Sequence, residues 1–255
     1  NGIERVVVNQ LVRAPGVFFG ASQAVPGKYN AKVIPRRGAW LELETDKKNI
    51  IYAKIDRKRK FPVTHFLRIF GLETDSSMVE AFDGKNNVEG GYIHSTLAKD
   101  SAKTVAEAYQ SVYKKVRPGD LATPENAKTL IDAMFFDYKR YDMGPVARYK
   151  LNKRFSFDIA DSIDTRVLQV EDFFSIIKHL VSLNKGEGEG DDIDHLSNRR
   201  VRSVGELVQN KYRIGLMRME RIIKDRMTVL DPDQMTAVQL VNSRPVTAAM
   251  REFFA

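Results

Sequence analysis

An α+β fold is predicted for this chain, a small antiparallel β region followed by helices. Three observations predict it. Up to about residue 60, apolar side chains alternate with polar ones or fall in short β-branched runs. After Pro62 they recur at every third or fourth position. Strands gathered ahead of helices, with no strand–helix alternation, argue against a parallel α/β sheet.

The elements follow in order. Val6-Val7-Val8 is a β-branched run expected to be extended, and Ala14-Pro15-Gly16 turns the chain ahead of Val17-Phe18-Phe19. Residues 20–28, with Pro26-Gly27, read as a loop. Tyr29 to Pro35 is a strand closed by the turn Arg36-Arg37-Gly38. Trp40-Leu41-Glu42-Leu43-Glu44 alternates apolar with acidic, the pattern of a half-buried strand, and Ile50 to Ile55 follows through the polar turn Thr45 to Asn49. Val63, Phe66, Leu67, Ile69 and Phe70 then fall on one helical face, with Gly71 as the stop. Residues 83–91 carry no core signal and read as a loop. Lys103 to Lys115 is a helix turning Val105, Ala108, Tyr109 and Val112 inward, ended by Arg117-Pro118-Gly119. Thr123-Pro124-Glu125 supplies an N-cap and a first-turn proline for a helix through Phe136. A basic stretch, Tyr138 to Phe155, precedes an amphipathic helix, Val170 to Leu183. Residues 184–190 alternate glycine with polar residues and read as the most flexible segment. The longest helix runs to about Thr228, with Val204, Leu207, Val208, Tyr212, Leu216, Met219, Ile222 and Ile223 in one stripe. Asp231-Pro232 opens a shorter helix and Pro245 a last one through Phe254.

Composition narrows the function. Against 33 acidic residues stand 41 basic ones, a net +8, which suits an anionic partner or a surface charged for solubility. The absence of cysteine removes disulfides, thiolate zinc sites and cysteine nucleophiles together, and fits a reducing compartment. No apolar run is long enough for a membrane span, and the polar start, Glu4-Arg5, does not resemble a signal peptide. The first residue is Asn1 and an apolar run follows almost at once, so the chain is expected to be a piece of something larger.

Basic residues cluster at Lys54 to Lys60, at Lys139 to Arg154, and at Arg199, Arg200 and Arg202 with Lys211 and Arg213. Arginine forks suit phosphate, although each cluster alone also reads as a solvated face. The acidic run Glu187, Glu189, Asp191, Asp192 and Asp194 fails the calcium-loop pattern, because position 6 is Asp192 and position 12 is Asn198. It reads as a flexible acidic loop, or as one carboxylate able to accept from a base edge. His65, His94, His179 and His195 include no i, i+4 pair for a metal. No Walker A loop, dinucleotide fingerprint or Gly-x-Ser-x-Gly elbow is present, so no catalytic residue is assigned. Trp40, the lone tryptophan, reads either as core or as an exposed stacking platform.

Several motifs stand out in order along the chain. They begin with Asn1-Gly2-x-Glu4-Arg5-Val6-x-Val8-x-Gln10-Leu11-x-Arg13-x-Pro15-Gly16-Val17-Phe18-Phe19, Ile34-Pro35-x-Arg37-Gly38-x-Trp40-Leu41, and Ile55-Asp56-Arg57-Lys58-Arg59-Lys60-x-Pro62-Val63-Thr64. Arg117-Pro118-Gly119, Arg140-Tyr141-Asp142 and Arg148-Tyr149-Lys150-Leu151-Asn152 follow. Asp191-Asp192-Ile193-Asp194-His195-Leu196-x-Asn198-Arg199-Arg200-Val201-Arg202-Ser203-Val204-Gly205-Glu206 is the most specific. Arg244-Pro245-Val246-Thr247-Ala248-Ala249 with Glu252-Phe253-Phe254 completes the set. Taken together, in this order, they resemble the β subunit of bacterial DNA-directed RNA polymerase.

The resemblance implies a lobe over residues 1–183, β-rich to 60 and helical from 61. It further implies a fork loop over 184–202, and the second part of a protrusion, long helices, over 203–255. Arg13, Trp40, Ile193, Asp194 and Arg199 match a pocket reading the non-template strand at the downstream edge of the transcription bubble. Asp194 would accept from an unpaired guanine and Trp40 would stack on a neighbouring base, while Arg13 and Arg199 would hold base or phosphate. Arg148 matches a position facing the same strand, and Arg202 one near the hybrid or the backbone. Val8 and Gln10 match a minor rifampicin-resistance region. The implied partners are DNA, the α and β′ subunits and sigma factor, in the cytoplasm and with no membrane. No cofactor is expected in this chain, because the magnesium of the whole enzyme would be held by β′. The alternative is an interaction scaffold for subunits or transcription factors, without DNA affinity in isolation and prone to self-association through the Val204–Ile223 stripe.

Overall fold

The computed structural model describes residues 4–82, 91–229 and 235–255. They form two compact units, Arg13–Asn198 and a smaller one that joins Asn1–Val12 to Arg199–Ala255. The first strand, β1 (Gln10–Arg13), begins after Val6 to Val8, which are exposed and lie outside any strand. That β-branched run was expected to be extended in a sheet. Propensity alone does not make a strand, and hydrogen-bonded pairing starts only at Gln10.

In the larger unit β2 (Gly16–Ala21), β3 (Tyr29–Ile34), β4 (Leu41–Thr45), β5 (Ile51–Ile55) and β6 (Phe61–Pro62) form one antiparallel sheet in sequence order. Its register explains its two faces. Val17 lies opposite Val33, Val33 opposite Leu41 and Leu41 opposite Ile55. Side chains alternate across a strand, so the odd-numbered residues Val17, Phe19, Ala31, Val33, Leu41, Leu43, Ile51, Ala53 and Ile55 turn to one side and are buried in the core. The even-numbered row Phe18, Lys32, Glu42 and Lys54 turns to the other.

Helices cover the odd face. They are α1 (Val63–Ile69), α2 (Asp75–Phe82), α3 (Tyr92–Leu97), α4 (Val105–Val116), α5 (Pro124–Phe135), α6 (Gly144–Phe155) and α7 (Val170–Asn184). Phe66 of α1 is the hub of the core, with ring centroids 5.4 Å from Phe61, 5.1 Å from Phe135 and 5.8 Å from Phe173. Thr104 and Glu107 form a capping box on α4, and Thr123 with Pro124 opens α5 as its spacing predicts. Helices α2, α3 and α6 were not foreseen. The first two are short, and α6 mixes the buried Ala147, Arg148 and Leu151 with exposed cations, which hides its apolar face.

The smaller unit pairs β1 with β7 (Arg199–Arg202) and packs α10 (Arg244–Phe254) and the short α9 (Ala237–Leu240) on α8 (Val204–Val229). Gly215 sets the approach of α8 to α10. A Cβ there would stand 2.8 Å from Val246 Cα and 3.3 Å from Ala249 Cβ, so only glycine admits this spacing. The predicted stripe on α8 is only partly covered: Val204, Tyr212 and Leu216 are exposed, and Leu207, Val208, Met219, Ile222 and Ile223 are half-buried. The loop expected at 83–91 and the helix start expected at Asp231-Pro232 lie outside the described residues, apart from Gly91 at the start of α3.

Candidate nucleic-acid interface

The even face of the sheet carries Trp40 and, packed over Gly20, Ile193. Trp40 extends the even row of β4. Its backbone N–H donates to Asp56 Oδ1 at 2.8 Å, and its carbonyl accepts from Asp56 N–H at 2.9 Å. The indole is half-buried, so it belongs neither to the core nor to a fully open platform. Its position depends on the preceding turn. Gly38, at φ 121°, passes so close to Tyr141 that a Cβ would stand 2.6 Å from that ring, and the neighbouring Arg37 bridges to Asp142. Arg57 places its guanidinium 5.8 Å from the indole centre, and Trp40, Asp56 and Arg57 line a shallow hollow of about 280 Å³.

The glycine-rich segment read as most flexible is held at both of its flanks. Asn184 accepts from Tyr29 N–H through Oδ1 at 2.7 Å and donates through Nδ2 to Thr45 Oγ1 at 2.9 Å. Asp191 N–H donates to the Phe19 carbonyl at 2.6 Å, and its carboxylate accepts from Phe19 N–H at 2.7 Å and from Arg154 Nη1 at 2.9 Å. Two residues on, Ile193 packs over Gly20, with Cδ1 3.4 Å from where a Cβ on that glycine would sit. Gly20 belongs to the even row, so Ile193 and Trp40 share one face of the sheet. Asp192 organises the turn that follows, accepting from the N–H groups of Asp194 and His195 at 2.9 and 3.2 Å. Asp194 is exposed, and its carboxylate has no hydrogen-bond or ion-pair partner among the described residues. It is an acceptor with its capacity unspent.

Arg13 is half-buried beside Ala14, whose N–H donates to the Asn198 carbonyl at 2.9 Å. In the smaller unit Arg199 is also half-buried, and Arg202 Nη2 donates to Gln10 Oε1 at 2.6 Å, while Val8 is exposed.

For Arg148 the expectation of a strand-facing side chain is not met. It is 1% exposed, and its guanidinium is consumed internally. Nη1 and Nη2 bind both oxygens of Asp172 at 2.7 and 2.8 Å, and Nε donates to the Thr165 carbonyl at 2.9 Å. Asp172 in turn accepts from Gln169 N–H at 3.0 Å at the start of α7. The physical reason is burial: a guanidinium without water must spend its donors on its own chain.

The second basic cluster meets the end of the expected fork segment in a cleft that sequence reasoning did not foresee. Val17, Phe18, Lys150, Leu151, Lys153, Arg154 and Asn198 line a cleft of about 350 Å³. Lys150 Nζ donates to Ser197 O at 3.0 Å and to Asn198 Oδ1 at 3.1 Å, and lies over the Phe18 ring at 5.4 Å. Burial and the nearby Arg154 hold its pKa below the ordinary lysine value. The i, i+4 spacing of Lys150 and Arg154 on α6 was the available signal. Among the described residues no three histidine or carboxylate side chains converge on one point. No described helix is long and apolar enough to cross a membrane.

Comparison with known proteins adds to this geometry. The family model described as RNA polymerase Rpb2, domain 2, matches residues 13–202, nearly the span of the larger unit. The whole chain is similar to the DNA-directed RNA polymerase subunit beta of Syntrophomonas wolfei, 46% identical over 256 residues. It is also similar to those of Chloroflexus aggregans, 45% over 285 residues, and Thermosynechococcus vestitus, 46% over 256 residues. It spans 22%, 23% and 22% of the length of these relatives, respectively.

Proposed function

Because this chain belongs to the RNA polymerase Rpb2 domain 2 family, as a region of a bacterial RNA polymerase β subunit, we propose that it contacts the non-template strand at the downstream edge of the bubble. In this reading it forms the lobe, the fork loop and part of the protrusion of a cytoplasmic DNA-directed RNA polymerase. The observation that supports it best is the shared sheet face of Trp40 and Ile193, with the unspent carboxylate of Asp194 next in sequence. An unpaired guanine presents donors on its Watson–Crick edge, which an ionised carboxylate accepts with charge assistance. A neighbouring base stacks on the Trp40 indole, and Arg13 and Arg199 supply charge for phosphate. Arg148 has no part in this contact.

The chain supplies no catalytic group in this reading. Nucleotidyl transfer runs on carboxylate-held magnesium, which is assigned to the β′ subunit. The α subunit, β′ and sigma factor are the protein partners. Substituting Asp194→Ala in the whole polymerase is expected to reduce discrimination for guanine at one non-template position by about tenfold, the scale of one good base contact. Unchanged sequence preference in bubble-template binding would overturn the role.

A second reading is favoured by the exposed Tyr212, Leu216, Met217 and Met227 on α8, which suit a protein partner. It predicts concentration-dependent self-association of the chain and single-stranded DNA binding too weak to show a salt slope.

A further inference from the structure

The turn that carries Arg57 is unusual. Ile55, Asp56, Arg57 and Lys58 make a tight connection closed by Lys58 N–H to the Ile55 carbonyl at 2.9 Å, with φ of 47° at Asp56 and 60° at Arg57. Two left-handed central residues define the turn that normally takes Asn-Gly, so a non-glycine pair is a strained choice. What the strain achieves is a placement. Asp56 aims its carboxylate at the Trp40 backbone N–H, and Arg57 throws its guanidinium across the indole.

That guanidinium is tethered without being locked. Its nearest acid is Glu42, 3.9 Å away from Nε, and the Arg57 side chain is 76% exposed. Lys32 Nζ holds the same Glu42 oxygen at an equal 3.9 Å, and that oxygen is buried without a hydrogen bond. Neither Nη atom of Arg57 has a hydrogen-bond partner among the described residues. An arginine with an unspent fork, lying on a half-buried aromatic face beside a hollow, suits a ligand with a flat ring and an adjacent anion. A nucleotide within a single strand has both.

We propose that Arg57 is a displaceable lid on the Trp40 platform that captures phosphate: an incoming unpaired base takes the indole face, and the displaced guanidinium pairs with the phosphate joined to that base. The inference rests on the stacking role given to Trp40 under the proposed function, and it adds a residue and a movement to it. Stacking of a base on an aromatic ring is stronger than an exposed cation–π contact, so the exchange runs toward the base. A charge-assisted bond to phosphate then replaces the contact Arg57 gives up.

Trp40 is the chain's single tryptophan, so its emission reports on this face alone. The 255-residue chain is titrated with a five-nucleotide oligodeoxythymidylate at several salt concentrations, as wild type, Arg57→Gly and Arg57→Lys. Glycine suits the positive φ at this position, so that variant removes the guanidinium without adding strain to the turn. Expected are quenching of Trp40 in the wild type and about three- to tenfold weaker binding in Arg57→Gly. The salt slope should be shallower by about 0.7, the value of one single-strand phosphate contact. Arg57→Lys should keep the wild-type slope. Quenching in Arg57→Gly with an unchanged slope, or with tighter binding, overturns the phosphate-capturing lid and leaves the stacking role standing. Absence of quenching in both wild type and Arg57→Gly overturns the stacking role, and the lid with it.

Discussion

The buried polar residues show how single side chains hold the larger unit together. His65 Nε2 lies 2.8 Å from Asp100 Oδ1, and Arg68 Nη2 lies 3.3 Å from Asp100 Oδ2, all three side chains being almost wholly enclosed. Burial raises the pKa of the Asp100 carboxyl, but bonds from His65 and from the Ala102 N–H outweigh it and hold the value at about 2. A carboxyl depressed on folding stabilises the native state above its ordinary value near 3.8, and that contribution disappears as pH falls through about 2. The stabilisation at stake is about 2 kcal/mol. Thermal denaturation between pH 5 and 2 should therefore show a steeper acid loss for wild type than for Asp100→Asn. Equal slopes would place the acid sensitivity elsewhere. Arg148 shows the limit of reading one residue in a string. Its match to a strand-facing position implies an outward arginine, whereas burial against Asp172, 24 positions away, is a property of tertiary packing.

Elements were legible where their period was clean. The alternation in Trp40 to Glu44 predicts a two-faced strand, and the structure places Leu41 and Leu43 in the core and Trp40, Glu42 and Glu44 on the opposite row. The Thr123-Pro124 start and the Gly71 stop also stand where their chemistry puts them. The strand expected at Val6 to Val8 failed because sheet formation needs a partner, and α6 was missed because its buried face includes an arginine. The anchoring of residues 184–198 could not be read from composition, since its bonds reach back to Phe19 and Tyr29. Helix α8 supplies a test in which two effects oppose. Gly215→Ala should gain about 1 kcal/mol of helix propensity. However, the new methyl would meet the Val246 backbone at 2.8 Å, and overpacking costs ~1–3 kcal/mol. Destabilisation of the α8–α10 pair is expected, read as faster amide exchange in α10. Slower exchange would show that the helices part without cost.

At the scale of the molecule the two units are unequally built. The larger one encloses a continuous apolar core from Val17 to Leu183, whereas in the smaller one the buried residues are Gly215 and Ala249 among those described. Local stability follows buried apolar contact, so amide exchange should be faster throughout α8 and α10 than in β3, β4, α4 and α7. Uniform protection across both units would contradict that ranking.

The division of the sheet into odd and even rows has a consequence for inheritance. One residue added at the start of β4, shifting its register by one, would turn Glu42 and Glu44 toward the phenylalanine hub and Leu41 and Leu43 to the opposite face, whereas two added residues would restore the parity. Descendants of this chain can therefore lengthen freely only at its turns. Within the strands, a single insertion or deletion is accommodated only where a bulge absorbs it and keeps the rows in place.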